Sequence, residues 1–111
     1  MRVGNKYGAR KATTPDGVTH DSRKEANRWM ELNLMQRGGL ISNLQRQVRY
    51  DLIPKQPGER ACYYVADFVY KDVKTGETIV EDTKSPATRT PAYIIKRKLM
   101  LWVHGIRIKE I

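Results

Sequence analysis

Residues 62–84 read Cys62-Tyr63-Tyr64-Val65-Ala66-Asp67-Phe68-Val69-Tyr70-Lys71-Asp72-Val73-Lys74-Thr75-Gly76-Glu77-Thr78-Ile79-Val80-Glu81-Asp82-Thr83-Lys84. Two runs rich in Tyr, Val, Phe and Ile flank a short polar stretch around Lys74-Thr75-Gly76, the pattern of two strands joined as a hairpin. Each run is interrupted by an acid, Asp67 in the first and Asp82 in the second. A carboxylate is rarely buried without a partner. With Val73 to Gly76 as the loop, closed by Asp72 opposite Glu77, Asp67 falls directly opposite Asp82. Side chains so placed have Cβ atoms about 5 Å apart. Alternation puts Asp67 on a face with Val65 and Val69, and Asp82 on a face with Lys84, leaving Glu81 and Thr83 on the other side. A slip of one residue would turn Asp82 away, and a bulge would bring Glu81 into its place.

Two carboxylates held that close repel unless a cation lies between them or one takes a proton. Their hard oxygens suit Mg²⁺ or Mn²⁺. An ammonium at Lys84, two residues along the strand, is placed to orient a water or stabilise charge on a phosphate. The blander reading, strand acids paired with Arg or Lys, stays open beside this one.

Upstream, Ser22-Arg23-Lys24-Glu25 has capping-box spacing. Ala26, Trp29, Met30, Leu32, Leu34 and Met35 supply an apolar stripe, and Gly38-Gly39 ends the helix. Gln47 to Ile53 alternates as a strand stopped by Pro54. Residues 1–20, with Arg2, Lys6, Arg10 and Lys11 and the turn signal Pro15-Asp16-Gly17, read as a basic, weakly ordered arm preceding a domain over 21–111. Downstream, Thr90-Pro91 opens a second helix, with Ile94, Ile95, Leu99 and Trp102 as its apolar face and Gly105 as its end. Ile106 to Ile111 alternates as a last strand. The order helix, three strands, helix, strand, with a parallel return after the second helix, predicts an α/β fold: an αβββαβ core with a mixed central sheet flanked by helices.

The chain has 111 residues, enough for one domain. Lys and Arg number 21 against 12 Asp and Glu, a formal charge of +9, which favours polyanions, nucleic acid foremost. Cys62 is the one cysteine, so an internal disulfide and a cysteine zinc site are excluded, and Cys62 reads as a small core residue. No apolar run approaches the ~20 residues of a membrane span, and the start has no secretory character, so an intracellular protein without a membrane partner is expected. His20 and His104 are too far apart in sequence to point to a metal pair. Tyr63, Tyr64 and Tyr70 read as core and strand residues rather than base-stacking platforms.

Asp67, a hairpin, then Asp82-Thr83-Lys84 resembles the motif of the PD-(D/E)xK nuclease superfamily, whose restriction-endonuclease-like core has the same element order. The chain resembles more closely a group of short phage proteins with a resolvase- or endonuclease-like core. The likeness covers roughly residues 20–111. Ala66 stands where the superfamily often has proline. The resemblance implies Mg²⁺-dependent phosphodiester cleavage with Asp67 and Asp82 as metal ligands and Lys84 as the catalytic lysine. Glu25 fills the place of an added acid from the first helix, a role that competes with simple capping. Gln47 is a candidate for holding the water or substrate, against a solvent-facing strand glutamine. Arg89, Lys96, Arg97 and Lys98 are candidates for phosphate contacts that position nucleic acid without reading its sequence; for Lys96 an ordinary helix lysine is the alternative. The expectation is a DNA endonuclease in recombination or replication, in the host cytoplasm if phage-encoded. Structure-directed cutting of two strands would call for a homodimer. The alternative is a catalytically inactive nucleic-acid-binding module on the same scaffold.

Overall fold

Asp72 and Glu77 close the hairpin as the turn residues require: the Asp72 N–H donates to the Glu77 carbonyl at 2.9 Å, and the Thr75 N–H donates to the Asp72 carboxylate at 3.0 Å. Gly76 takes a φ of +75°, where any other residue would carry a Cβ penalty. In the computed structural model, which describes residues 10–111, the elements are β1 (Ala12–Thr13), β2 (Thr19–His20), α1 (Arg23–Arg37), β3 (Ile41–Ile53), β4 (Cys62–Asp72), β5 (Thr78–Asp82), α2 (Pro91–His104) and β6 (Lys109–Glu110). The main sheet has the order β3-β4-β5-β6, antiparallel except for the parallel pair β5-β6, and β1-β2 is a separate hairpin. This is the mixed α/β architecture expected, an αβββαβ-like core preceded by a small hairpin.

Both helices begin and end where the capping chemistry places them. Ser22 accepts from the Glu25 N–H at 3.1 Å, Thr90 accepts from the Tyr93 N–H at 3.2 Å, and Gly105 closes α2 in the left-handed conformation. They cover opposite faces of the sheet. Leu32 of α1 packs with Ile41, Phe68 and Tyr70, whereas Tyr93 and Met100 of α2 pack with Leu52, Tyr64, Ala66, Val69, Val80 and Ile108.

Those clusters expose a break in the alternation. Ala66 and Val69 belong to the α2 side and Phe68 and Tyr70 to the α1 side, so β4 changes faces around Asp67. Strand β3 does the same: Leu44 packs toward α1, Val48, Tyr50 and Leu52 toward α2. Between them Gln47 has a φ of +54°. Arg46 pairs with Phe68 and Val48 with Ala66, so Gln47 and Asp67 face each other at the common crossing point. Simple alternation, which put Val65, Asp67 and Val69 together, does not survive this crossing.

Further expectations are corrected. Strand β3 begins at Ile41 rather than Gln47; a register shift between Ser42 and Gln45, with Asn43 at a φ of +55°, hides its first part from a period-two reading. Of the segment expected as a loose arm, residues 1–9 lie outside the described residues. Residues 12–20 instead form the β1-β2 hairpin, docked on α1 through the buried His20 and a 2.6 Å bond from Trp29 Nε1 to Asp16. In α2, Ile94 and Leu99 join the core, but Ile95 is exposed and Trp102 is 83% exposed. Tyr93/Met100 and Ile95/Trp102 are both seven-residue pairs on roughly opposite sides of the helix, so periodicity alone does not choose between them. No helix among the described residues is long and apolar enough to cross a membrane.

Candidate active site

A cleft of about 500 Å³ opens between the starts of the two helices, the first half of β4 and the end of β5. It gathers Glu25, Gln47, Asp67, Asp82, Lys84 and Lys96 on one surface.

The β4-β5 register pairs Phe68 with Glu81 and Val69 with Val80, the alignment expected from the turn, and the next positions along it are Asp67 and Asp82. Asp67 Oδ2 accepts two hydrogen bonds from Thr83, the backbone N–H at 2.8 Å and the hydroxyl at 2.7 Å. Thr83 was expected on the opposite face, but β5 ends at Asp82 and alternation no longer governs it. Asp82 is buried, and Lys84 Nζ lies 3.1 Å from its Oδ2. Burial, then the adjoining Asp67 carboxylate, push Asp82 up to about 8; the Lys84 ammonium pulls the other way and offsets only part. The Tyr64 hydroxyl is buried with no hydrogen-bond partner among the described residues, and burial, then the nearby Asp82, raises its pKa. Lys84 Nζ also sits 4.1 Å from the centroid of the Tyr93 ring. The motif is anchored from behind: Ile111 N–H donates to Asp82 O at 3.0 Å, Lys84 N–H donates to Ile111 O at 3.1 Å, and Lys24 Nζ donates to Lys84 O at 2.8 Å.

Glu25 does more than occupy a capping position. Its backbone N–H satisfies the Ser22 cap, while its buried carboxylate points toward His20 Nδ1 and Gln47 Nε2, both at 3.5 Å, and Arg46 Nη2 at 3.9 Å. Burial, then Asp67 and Asp21, raise it to about 7. Burial and Arg46 lower the pKa of His20, which leaves the ring neutral at pH 7, so its approach to Glu25 is a polar contact rather than an ion pair.

Glu81 belongs elsewhere. It is fully buried on the α1 side, gripped by Arg28 through Nε–Oε1 at 2.8 Å and Nη2–Oε2 at 2.6 Å, and bonded by the Tyr70 hydroxyl. That fork occupies both of its oxygens, so of the two adjacent acids it is Asp82 that faces the cleft.

The basic candidates divide. Lys96 lines the cleft, but Arg89 and Arg97 are paired with Glu110 at 3.0 and 3.1 Å. Arg97 and Lys98 border a separate depression with Arg107 and Ile108. Sequence reasoning did not single out Arg46 or Tyr93, set His20 aside as a metal ligand, placed Thr83 on the other face, and read Tyr63 as a core or strand residue, whereas its side chain is exposed at the cleft. For Thr83 the signal was available, since a hydroxyl between Asp82 and Lys84 at a strand end is a natural donor to a facing acid. The others come together only through folding.

Asp67, Asp82 and Glu25 could supply carboxylate oxygens, a hard donor set that would suit Mg²⁺ or Mn²⁺, while Gln47 turns its amide nitrogen to Glu25. Burial is the first cause of the raised values of Asp82 and Glu25, and the neighbouring Asp67 carboxylate adds to both. Among the described residues no three acidic, histidine or cysteine side chains already close on one point. Asp67 turns to Thr83, Asp82 to Lys84 and Glu25 to His20.

The family model described as "Protein of unknown function (DUF1064)" matches residues 4–106, and the chain belongs to that family. No curated protein and no solved structure matches it.

Proposed function

We propose that this DUF1064 protein is a metal-dependent DNA endonuclease of the PD-(D/E)xK type. The observation that carries the reading is the convergence of Asp67, Asp82, Glu25 and Lys84 in one cleft of a strongly basic chain. Asp67 and Asp82, with Glu25, would hold Mg²⁺, or Mn²⁺ in its place. When bound, the ion lowers the pKa of a coordinated water and polarises the phosphate.

The chain's own residues have separable tasks. Thr83 holds Asp67 with two hydrogen bonds, so one carboxylate is oriented before substrate arrives. Lys84, kept near Asp82 and against the Tyr93 ring, is positioned to orient the attacking water or meet charge developing on the scissile phosphate. Lys96 at the cleft wall offers a phosphate contact. Arg97 of α2 and Arg89 in the turn before it, both tied to Glu110, hold β6 to that part of the chain. Cutting of branched DNA by two copies of the chain is the finer form of this proposal.

The second reading is an inactive nucleic-acid-binding module. It is favoured by the internal partners that each carboxylate already has, and the net charge suits it equally. One experiment separates the two. Plasmid, single-stranded and four-way-junction DNA are incubated with Mg²⁺, Mn²⁺ or chelator, using wild type, Asp82→Ala and Lys84→Ala. Cleavage by wild type alone, abolished by chelator, is the expected result. No cleavage with either metal, or equal cleavage by the variants, overturns the nuclease proposal.

A further inference from the structure

Tyr63 is an aromatic side chain left 42% exposed on β4, four residues before Asp67, and its ring lines the same cleft as Asp67, Asp82 and Lys84. Tyr64 and Tyr70 are buried as core residues should be. Two cations attend the Tyr63 ring. The Arg49 guanidinium carbon is 3.9 Å from the ring centroid, and Lys96 Nζ is 5.8 Å away. Arg49 is itself oriented by Asp51, with Nε to Oδ1 at 3.0 Å. Asp51 is the cross-strand partner of Tyr63, so the ring and the guanidinium are set by one pair of neighbouring strands.

We propose that Tyr63, with Arg49, is a stacking platform for an unpaired nucleobase, so that the preferred substrate presents a single-stranded or splayed segment at the cleft. The inference rests on the nuclease reading for the direction of the DNA strand and adds the class of substrate. The Arg49 guanidinium lies over one face of the ring, so a base would stack on the other face, or on the guanidinium plane itself, while Lys96 meets the backbone, as single-stranded nucleic acid is held by aromatic and cationic groups. A paired base in an intact duplex has no free face to offer. Tyr63 and Asp67 are four steps apart along the strand, about 13 Å at roughly 3.3 Å per residue. The stacked base therefore belongs to a nucleotide a few positions from the scissile phosphate, and the platform sets where along the strand the cut falls.

The test is binding measured in chelator, where no cleavage occurs. A 20-nucleotide single strand carrying 2-aminopurine is titrated with wild type, Tyr63→Phe, Tyr63→Leu and Arg49→Ala, beside the same sequence as a full duplex. Wild type and Tyr63→Phe should quench the probe and bind the single strand more tightly than the duplex. Tyr63→Leu should lose quenching and about 5- to 150-fold of single-strand affinity, with duplex binding and the thermal midpoint unchanged. Unaltered quenching and affinity in Tyr63→Leu overturn the platform, as does equal loss on duplex. The nuclease reading fails separately, in the cleavage assay with metal: a protein that binds through Tyr63 but never cuts refutes the nuclease and not the platform.

Discussion

Asp82→Asn should make the metal-free protein more stable while destroying its proposed activity. Asp82 is buried beside Asp67, and its pKa is lifted from 3.8 to about 8. At pH 7 the unfolded chain has this carboxyl ionised, whereas the folded chain keeps most of it protonated. The interval from 3.8 to 7, at about 1.4 kcal/mol per pH unit, amounts to roughly 4 kcal/mol against folding. The sign follows from the raised carboxyl: the penalty is absent below about pH 4, grows as pH rises, and levels off above about pH 8. Asparagine has nearly the same shape and no proton to hold. It gives up the contact with Lys84, a loss of about 1–3 kcal/mol. A net gain of about 1–3 kcal/mol at pH 7 remains, or about 4–15 °C in Tm. Thermal melts of wild type and Asp82→Asn, in chelator at pH 4, 6 and 8, measure this directly. With the ionisation penalty absent at pH 4, the lost Lys84 contact should leave the variant about 1–3 kcal/mol less stable there; the difference should change sign as pH rises and favour the variant most at pH 8. A variant no more stable than wild type at pH 8, or a difference independent of pH, would refute the burial and repulsion assigned to Asp82.

Divalent cation should offset or reverse that difference: Mg²⁺ or Mn²⁺ at 100 times its dissociation constant should stabilise wild type by about 2.7 kcal/mol, with no rise in Asp82→Asn, as read by the same melts. Arg28→Met should cost about 3–5 kcal/mol because it strands the buried Glu81 charge; adding Glu81→Gln should recover much of the loss in chemical denaturation. Thr83→Val keeps the backbone bond to Asp67 but removes the hydroxyl, at about 1–3 kcal/mol, and should lower cleavage more than DNA affinity. Trp102→Glu, at a side chain 83% exposed, should change stability by no more than about 0.5 kcal/mol; a large loss would mean that α2 is covered in solution.

Much of the scaffold was legible because its signals are local. Ser22 and Thr90 are caps whose hydroxyls meet a backbone N–H three residues on, and both helices start there. The hairpin register followed from the chemistry of a four-residue turn, and Phe68 opposite Glu81 bears it out. What misled was extension of a period beyond the element that carries it. Alternation put Thr83 away from Asp67, yet β5 stops at Asp82. It began β3 too late, since a bulge at Asn43 resets the count. It assigned Trp102 to the core because a helix with two apolar stripes does not state which one meets the sheet.

The sequence by itself determined the order of elements, the caps, the turn, and that two acids and a lysine lie near one another at the end of a hairpin. Those depend on neighbours a few residues apart, whose geometry the backbone imposes. Only the tertiary structure decided which acid faces the cleft, since Glu81 is withdrawn by Arg28 of α1, 53 residues away. Only it brought Glu25, His20 and Gln47 together, by folding the first hairpin onto α1 and crossing β3 and β4 over at Gln47 and Asp67. It also spent Arg89 and Arg97 on Glu110 rather than on the cleft. Burial and charge pairing are properties of distances between segments remote in sequence, and those distances exist only once the helices have packed on the sheet.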